Sequence, residues 1–408
     1  NAVEPVAALL SAVQAGHAVL PTTLDPLGDA FALLVDRYRP EWVVLSGTGD
    51  PAWAAAYTEN ACGGLRQLRR RNCEASPLHP DLAVLLTTSG STGSPKLVRL
   101  SRRAVAANAR QIAAALAMTS QDRAVSLLPL GYSFGLSVLN SHLQVGGSVV
   151  LTDRSPVEAE FWADAAACAV TTLPGVPFTF DMLRRVGAAA RAPASLRRLL
   201  QAGGRMASPM IAWTREAFAA QGVELVVMYG QTEACARMSV LPPAELAGAA
   251  GAVGYAVPEG RFTINADGEV IYSGPNVMMG YAETRADLAK GDELGGVLAT
   301  GDLGRLDERG RLWLSGRIKR IAKPFGLRVS LDDIEAALAP FGSLAVAGDD
   351  TILWVVVERG DLDALRASVA ALAARMKLPP SLFRIRPVPA LPRGTNGKVL
   401  YGQLLVEP

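Results

Sequence analysis

The chain has 408 residues, half of them apolar, and a formal net charge of +2 from 40 basic and 38 acidic residues. This near balance gives no argument for a nucleic-acid partner or an anionic membrane, and no uninterrupted apolar stretch reaches the roughly 18 residues of a membrane span. Four cysteines without a CxxC pair and three scattered histidines favour reduced thiols in a cytoplasmic protein and argue against a structural zinc site.

The N-terminal part of the chain is predicted to alternate between helices and strands. Residues 7–16 read as a helix closed by glycine, and strands are expected near residues 42–45, 124–128, 148–151 and 225–228. This alternation to about residue 240 predicts mostly parallel sheets flanked by helices, and therefore an α/β fold.

The C-terminal part of the chain contains two regions whose predicted secondary structure differs from that of the N-terminal part. Short β-rich runs with turn signals within residues 260–317 predict a small subdomain of antiparallel hairpins. A helix near 332–338, a strand at 352–357 and a helix near 362–376 then predict a small α+β unit. We place the domain boundary at Lys319, which gives a domain of residues 1–318 and a second of residues 319–408.

Residues 87–96, TTSGSTGSPK, are typical of a phosphate-binding loop between two strands. Gly90 and Gly93 allow backbone N–H groups to approach a polyanion, and Lys96 adds a positive charge. The loop is not a Walker A motif, because Pro95 precedes the lysine and no helix follows directly. By itself the segment is equally consistent with an ordinary turn.

Four downstream motifs strengthen the nucleotide hypothesis. They are YGQTE at 229–233, TGD at 300–302, GRIK at 316–319 and GTNGK at 394–398. In this order, and with the loop at 87–96, they resemble the adenylate-forming superfamily of acyl-CoA synthetases, peptide-synthetase adenylation domains and luciferases. The resemblance implies a large N-terminal domain and a mobile C-terminal lid. The chain begins later than typical members, so a reduced N-terminal subdomain is expected.

The resemblance implies an ATP site with defined roles. Tyr229 would stack on adenine, Thr232 would contact the α-phosphate and Glu233 would ligate Mg²⁺, which prefers such hard oxygen ligands. The residues expected to bind ATP or AMP are Thr88, Ser89, Gly90, Ser91, Thr92, Gly93, Lys96, Gly203, Gly204, Arg205, Tyr229, Gly230, Gln231, Thr232, Asp302, Arg317 and Lys398.

Simpler interpretations exist for several of these residues. Asp302 can accept both ribose hydroxyl protons and Arg317 can add a second contact, but Asp-Gly loops are also common turns. Tyr229 is alternatively a core aromatic residue, and Gly203-Gly204 alternatively a turn between a strand and a helix.

Lys398 is the residue expected to act in the first half-reaction, with Thr232 and Glu233 as the other catalytic residues. Its ammonium on a flexible stem would bridge the carboxylate and the α-phosphate as charge develops; without the resemblance it would be an exposed tail lysine. The family's hinge falls at Lys319, and Gly326 would leave room for a pantetheine chain in the thioester-forming pose.

The acyl pocket is expected to be formed by Tyr132, Ser133, Phe134, Gly135, Ala202 and Cys235. Ser133 stands where amino-acid-activating domains carry an aspartate, and burying an ammonium without a carboxylate is costly. An acid without an α-amino group is therefore favoured. Arg237 has two interpretations, a structural arginine, which is favoured, or a contact with a substrate anion.

These observations predict an ATP- and Mg²⁺-dependent acid–thiol ligase that forms an acyl-adenylate and transfers the acyl group to phosphopantetheine. The acceptor is an acyl or peptidyl carrier protein or CoA, and the lack of an obvious basic patch favours a carrier protein. The alternatives are an amino-acid adenylation enzyme, a P-loop kinase or ATPase, and a non-catalytic nucleotide-binding regulator.

Overall fold

The computed structural model describes residues 2–47, 49–62, 64–72, 77–87, 96–249, 251–322, 324, 327, 329–394 and 397–405. The expected phosphate-loop residues Thr88, Ser89, Gly90, Ser91, Thr92 and Gly93 lie outside the described residues, as does Gly326. Within the described ranges, no helix is both long enough and apolar enough to cross a bilayer.

The helices within the described ranges begin and end as follows. They are α1 (Val3–Gln14), α2 (Asp29–Tyr38), α3 (Arg102–Ala115), α4 (Ser133–Gln144), α5 (Ala159–Ala167), α6 (Pro177–Arg185), α7 (Ser208–Ala219), α8 (Leu331–Leu338) and α9 (Leu362–Arg375). Side-chain caps fix three of the N-termini: Ser101 for α3, Ser330 for α8 and Asp361 for α9 each accept a backbone N–H of the first turn.

The strands fall into several sheets. They are β1 (Trp42–Leu45), β2 (Tyr57–Cys62), β3 (Leu65–Arg70), β4 (Leu82–Thr87), β5 (Leu97–Ser101), β6 (Arg123–Val125), β7 (Ser148–Val150), β8 (Thr172–Gly175), β9 (Arg198–Gln201), β10 (Glu224–Tyr229), β11 (Ser239–Leu241), β12 (Ala252–Ala256), β13 (Arg261–Ile264), β14 (Glu269–Ser273), β15 (Gly280–Ala282), β16 (Val297–Leu306), β17 (Leu312–Arg317), β18 (Ile321–Ala322), β19 (Val329–Ser330), β20 (Gly342–Gly348), β21 (Leu353–Gly360) and β22 (Phe383–Pro387).

The largest sheet has the order β13-β14-β16-β17-β12-β11-β10-β9-β8-β6-β7. Its β10-β9-β8-β6-β7 half is parallel, and the remaining strands pair antiparallel. This division confirms the predicted α/β fold with a smaller β-rich region.

Helices cover both faces of the parallel half. Successive residues of a strand point to opposite faces, so Leu225 and Val227 of β10 pack in one apolar cluster with Phe161 of α5 and Phe218 of α7. Val226 and Met228 pack in another cluster, with residues of α3 and α4 such as Ile112 and Phe134. The near-continuous apolar character of β10 follows from this double burial.

A separate three-stranded sheet, β15-β5-β4, carries the two strands that flank the expected phosphate loop. Arg99 of β5 is fully buried and its guanidinium donates to the carbonyls of Met279, Tyr281, Lys290 and Gly291. It also contacts the carboxylate of Glu293. One buried side chain therefore fixes β15 and the segment after it against the loop-bearing hairpin.

The segment after β17 has an apolar cluster of its own. Sheet β20-β21-β22 packs with α8 and α9 through buried residues such as Ile334, Val355 and Leu365. These elements match the predicted α+β unit to within a few residues. The division into domains at Lys319 stays a prediction.

Candidate active site

The expected site residues meet at the carboxyl ends of the parallel strands. Gly203 follows β9 and Tyr229 ends β10, while α4 begins beside them at Ser133. Ligands of open α/β sheets bind in the crevice at this edge. The fold thus brings together residues that are far apart in the sequence, such as Tyr132 and Lys398.

Asp302 is the centre of a buried polar network. Asp302 lies on β16 directly opposite Arg317 on the paired strand β17. Arg317 Nε donates a hydrogen bond of 2.9 Å to Asp302 Oδ1. Asp302 Oδ2 accepts from the Tyr229 hydroxyl at 2.5 Å and from Gln231 Nε2 at 2.7 Å. Both carboxylate oxygens are therefore held in place by donors, and the side chain is 4 % exposed.

Tyr229 contributes to this network through its hydroxyl. Its ring is buried in an apolar cluster and lies 6.3 Å from the ring of Phe262. Burial, and then the negative charge of Asp302, raise the pKa of Tyr229 well above its ordinary value, so the hydroxyl stays protonated as a donor. Stacking on adenine stays a prediction for this side chain.

The turn after Tyr229 is unusually tight. Thr232–Ala234 form a short 3-10 helix, and Cys235 and Ala236 both have positive φ, at 53° and 93°. A Cβ on Gly230 would collide with the carbonyl oxygen of Ala236. Glycine is therefore required at position 230 to close the turn that presents Thr232 and Glu233.

Each of the two turn residues has a partner from another element. The hydroxyl of Thr232 lies 3.1 Å from that of Ser133 at the start of α4. The Tyr281 hydroxyl, on β15, donates to Glu233 Oε1 at 2.8 Å. Sequence reasoning missed Tyr281, because no local motif marks a residue that reaches the site only through strand pairing.

Lys398 lies in the same crevice and is half-buried. Its Nζ is 5.5 Å from the centre of the Tyr132 ring. Burial, and then repulsion by Arg317, lower the pKa of Lys398 to about 8, against the opposing attraction of Glu233 and Asp302. A lysine with this pKa still carries most of its charge at pH 7.

The loop that carries Lys398 is closed by local contacts. Gly394 N donates to Lys398 O at 2.8 Å, and Gly397 N donates to Gly394 O at 2.9 Å. Arg393 lies over the ring of Phe178 on α6, at 5.5 Å from its centre. The C-terminal loop therefore contacts the N-terminal part of the chain directly.

Other expected ATP residues are exposed. Lys96 Nζ forms an exposed ion pair with Glu283 Oε1 at 2.6 Å. Gly204 and Arg205 are exposed after β9. Their phosphate and adenine contacts remain predictions. Lys319, the expected hinge, lies in the 3-10 helix Ile318–Arg320.

The expected acyl-pocket residues separate into two neighbouring groups. Phe134 and Ala202 share one apolar cluster, against which Tyr132 packs. Cys235 belongs to another cluster and, with Ser133, lines a narrow cavity between α3 and α4. Gly135 has no room for a Cβ beside the carbonyl of Pro129, so its role in the structure is close packing of α4.

Alanine at Gly203 is expected to lower the adenylation activity that the sequence predicts by about tenfold to a hundredfold, because small displacements at a reacting site have such effects. Gly203 has a φ of +81°, and an added Cβ would collide with the Tyr132 hydroxyl and lie 3.0 Å from Val176 Cγ1. Initial rates of ATP–pyrophosphate exchange measure the loss.

Two further variants separate the clash from backbone strain. Gly187 also has a positive φ, of 62°, but nothing lies within 4 Å of its missing Cβ, so Gly187→Ala should keep activity. Adding Tyr132→Phe to Gly203→Ala should restore part of the rate. No recovery in the double variant would contradict the proposed clash.

Comparison with known proteins agrees with this geometry. A family model described as AMP-binding enzyme matches residues 1–282. The sulfoacetate–CoA ligase of Cupriavidus necator is 31% identical over 364 residues, which cover 81% of this chain and 69% of that protein.

Solved structures give the same result. The o-succinylbenzoate CoA synthetase of Bacillus subtilis, in complex with its acyl-adenylate intermediate, has a TM-score of 0.68 at 26% identity and covers 81% of this chain and 70% of its own. The same enzyme with ATP and a magnesium ion has a TM-score of 0.66 at 27% identity, covering 82% and 73%.

The predicted superfamily, fold class and enzyme class are thereby confirmed. The chain belongs to the AMP-binding enzyme family, and it is an AMP-forming acid–thiol ligase that activates a carboxylic acid with ATP.

Proposed function

We propose that this enzyme transfers its activated acyl group to CoA, and that Lys398, Asp302 and Arg317 carry out the adenylation step. The observation that carries the residue assignment is the position of the Lys398 ammonium, 5.5 Å from the ring of Tyr132, which is followed by Ser133, whose hydroxyl contacts Thr232 beside Glu233. The charges of Arg317, Glu233 and Asp302 all act on the pKa of Lys398. Four motifs from different parts of the chain thus converge on one site.

The adenylation step follows from this arrangement. An oxygen of the substrate carboxylate attacks the α-phosphorus of ATP, the bond to the pyrophosphate oxygen breaks, and pyrophosphate leaves. Asp302 and Arg317 would hold the ribose. Lys398 would lie between the carboxylate and the α-phosphate, where its charge stabilises the transition state more than the separated anions.

Glu233 could supply one carboxylate ligand to magnesium. Its carboxylate is available beside Thr232, held at one oxygen by Tyr281. Among the described residues, no group of three His, Cys, Asp or Glu side chains could enclose a metal. Mg²⁺ commonly binds through one or two carboxylates together with substrate phosphates, where it would neutralise the charge of the departing pyrophosphate.

We propose that residues 319–408 move as a lid relative to residues 1–318. Lys319 would act as the hinge. Rotation would withdraw Lys398 after adenylation and bring the Gly326 loop to the acyl-adenylate, where it would form the tunnel for pantetheine. The thiolate would then attack the acyl carbon and AMP would leave.

The choice of CoA over a carrier protein rests on the relatives. The sulfoacetate–CoA ligase and the o-succinylbenzoate CoA synthetase both carry CoA in their names. The sequence alone favoured a carrier protein, which stays the alternative acceptor.

The test is ATP–pyrophosphate exchange with a panel of fatty, hydroxy, aryl and amino acids, followed by mass spectrometry of the products formed with CoA. Exchange with an acid lacking an amino group, and an acyl-CoA product, are expected. Exchange with amino acids alone would favour the amino-acid adenylation enzyme. Exchange without an acyl-CoA product would favour a carrier protein, and ATP binding without any exchange would favour a regulator.

A further inference from the structure

Arg237 is a fully buried cation without a polar partner for its side chain. Its exposure is 0 %. Within the described part of the chain, Nε, Nη1 and Nη2 all lack a hydrogen-bond acceptor. Burial lowers the pKa of Arg237 to about 9, so the guanidinium still carries its charge at pH 7.

A buried charge without a partner is costly, because it loses its hydration and gains no ionic or hydrogen-bonded contact. Arg99 shows the usual solution in the same protein, since its equally buried guanidinium is surrounded by carbonyls and a carboxylate. Among the residues that the structure describes, the charge–aromatic contact of Arg237 is with Phe134, whose ring centre lies 4.4 Å from Cζ. Such a contact stabilises a desolvated cation by less than the burial of one ion costs.

Arg237 lies beside the expected acyl pocket. Phe134, which it covers, lies 6.3 Å from the Tyr132 ring, and Tyr132 faces Lys398. Burial raises the pKa of Tyr132 to about 12, and the Arg237 charge opposes this shift, so the Tyr132 hydroxyl is neutral at pH 7. Arg237 thus lies over an aromatic ring that is expected to form part of the acyl pocket.

The other polar groups around Arg237 do not neutralise it. Asn108 and Asn276 donate their amide N–H groups to its backbone carbonyl, at 2.8 and 3.2 Å. Asn108 Oδ1 and His142 Nε2 are also buried without a described partner. Burial lowers the pKa of His142, so this ring stays neutral.

We propose that Arg237 binds a second anionic group of the substrate, so that the acid activated at Lys398 is a dicarboxylic or sulfocarboxylic acid. One end of this acid would be adenylated and the other would pair with the guanidinium, whose N–H groups can donate two hydrogen bonds to one oxyanion. The inference rests on the proposed function, because it names the substrate class of the same site.

The first experiment compares acids that differ only in the second anion. Exchange is measured with succinate against butyrate, 3-sulfopropanoate against butyrate, glutarate against pentanoate and terephthalate against 4-methylbenzoate. The wild type is expected to prefer at least one dianionic member by about a hundredfold or more in kcat/KM, because a methyl group would leave the guanidinium unpaired. Arg237→Met should lose or invert this preference, while Arg237→Lys should keep part of it.

The second experiment needs no turnover. Arg237→Met removes an unpaired buried charge and should raise the melting temperature of the ligand-free protein by about 2 °C. Arg99→Met, which removes the hydrogen bonds to four carbonyls and the ion pair with Glu293, should lower it. The favoured dianion should raise the melting temperature of the wild type but not of Arg237→Met.

Two results would overturn the proposal. One is a wild type that activates acids with equal preference for both members of every pair, and the other is a lower melting temperature for Arg237→Met, as a structural arginine predicts. Absence of exchange with every acid would instead contradict the proposed function, and the melting temperatures would still decide the role of Arg237.

Discussion

Alanine in place of Lys398 is expected to lower the rate of acyl-adenylate formation by about 100- to 1,000-fold, the usual effect of removing one group that stabilises transition-state charge. The Lys398 Nζ lies over the Tyr132 ring in the crevice, and the charges of Glu233, Asp302 and Arg317 act on it. Its loss would remove the cation that is proposed to lie between the two reacting anions. ATP–pyrophosphate exchange measures this step directly.

Two comparisons show whether the loss is specific to adenylation. Lys377 is an exposed lysine in the same C-terminal unit, and Lys377→Ala should keep the wild-type exchange rate. Thioester formation from a pre-formed acyl-adenylate should be much less affected in Lys398→Ala, because this lysine is proposed to act only before the lid rotates. Equal losses in both half-reactions would contradict that division.

The same lysine is expected to give adenylation a distinct pH dependence. The pKa of Lys398 is lowered to about 8, and its charged form prevails below this value. The kcat/KM for adenylation reports the free enzyme, so it should fall about tenfold per pH unit above pH 8. In Lys398→Arg the remaining activity should persist to higher pH. An unchanged fall near pH 8 in that variant would assign the titration to another group.

The pattern of apolar and polar residues within short segments is sufficient to predict most of the helices and strands. The strand of residues 224–229 is apolar on both faces, because one set of side chains packs on α5 and α7 and the other on α3 and α4. That pattern is available from the sequence. The order of the strands was not, because pairing between β16 and β17 or between β5 and β15 depends on contacts far apart in the chain.

The motifs likewise identified which residues meet but not how they are held. Asp302 and Arg317 were expected to act together, and register places them opposite each other. The hydroxyl of Tyr281 on Glu233 joins residues 48 positions apart and follows no sequence signal. Tyr281 lies on β15, and Arg99 holds this strand in place through a hydrogen bond to the Tyr281 carbonyl. Arg99 is buried only once the chain has folded, so the sequence does not reveal this contact.

Arg237 shows a third limit of sequence reasoning. The sequence left two roles open, a structural arginine and a contact with a substrate anion. Deciding between them requires knowing which acceptors lie within reach, and the described residues supply none to its guanidinium. Whether the Arg237 guanidinium has an acceptor depends on how the chain packs, and no pattern of residues in the sequence indicates it.

Asparagine in place of Asp302 is expected to lower kcat/KM for ATP by about a hundredfold and to destabilise the fold by about 2–3 kcal/mol. Three donors converge on this carboxylate, from Tyr229, Gln231 and Arg317. An amide has one acceptor oxygen and brings a donor of its own, so at least one donor loses its partner. Ribose would also lose a carboxylate that accepts two hydrogen bonds.

Asp307 offers a matched control for the Asp302 variant. It lies just after the same strand β16 and accepts from Arg311 Nε at 2.7 Å and Trp313 Nε1 at 3.0 Å. Asp307→Asn should therefore also lower stability, measured by urea unfolding, but leave the KM for ATP unchanged, because this turn is at the far end of the hairpin from the crevice. If both variants changed the KM for ATP equally, the effect would come from the hairpin's stability, and Asp302 would have no specific role in binding ribose.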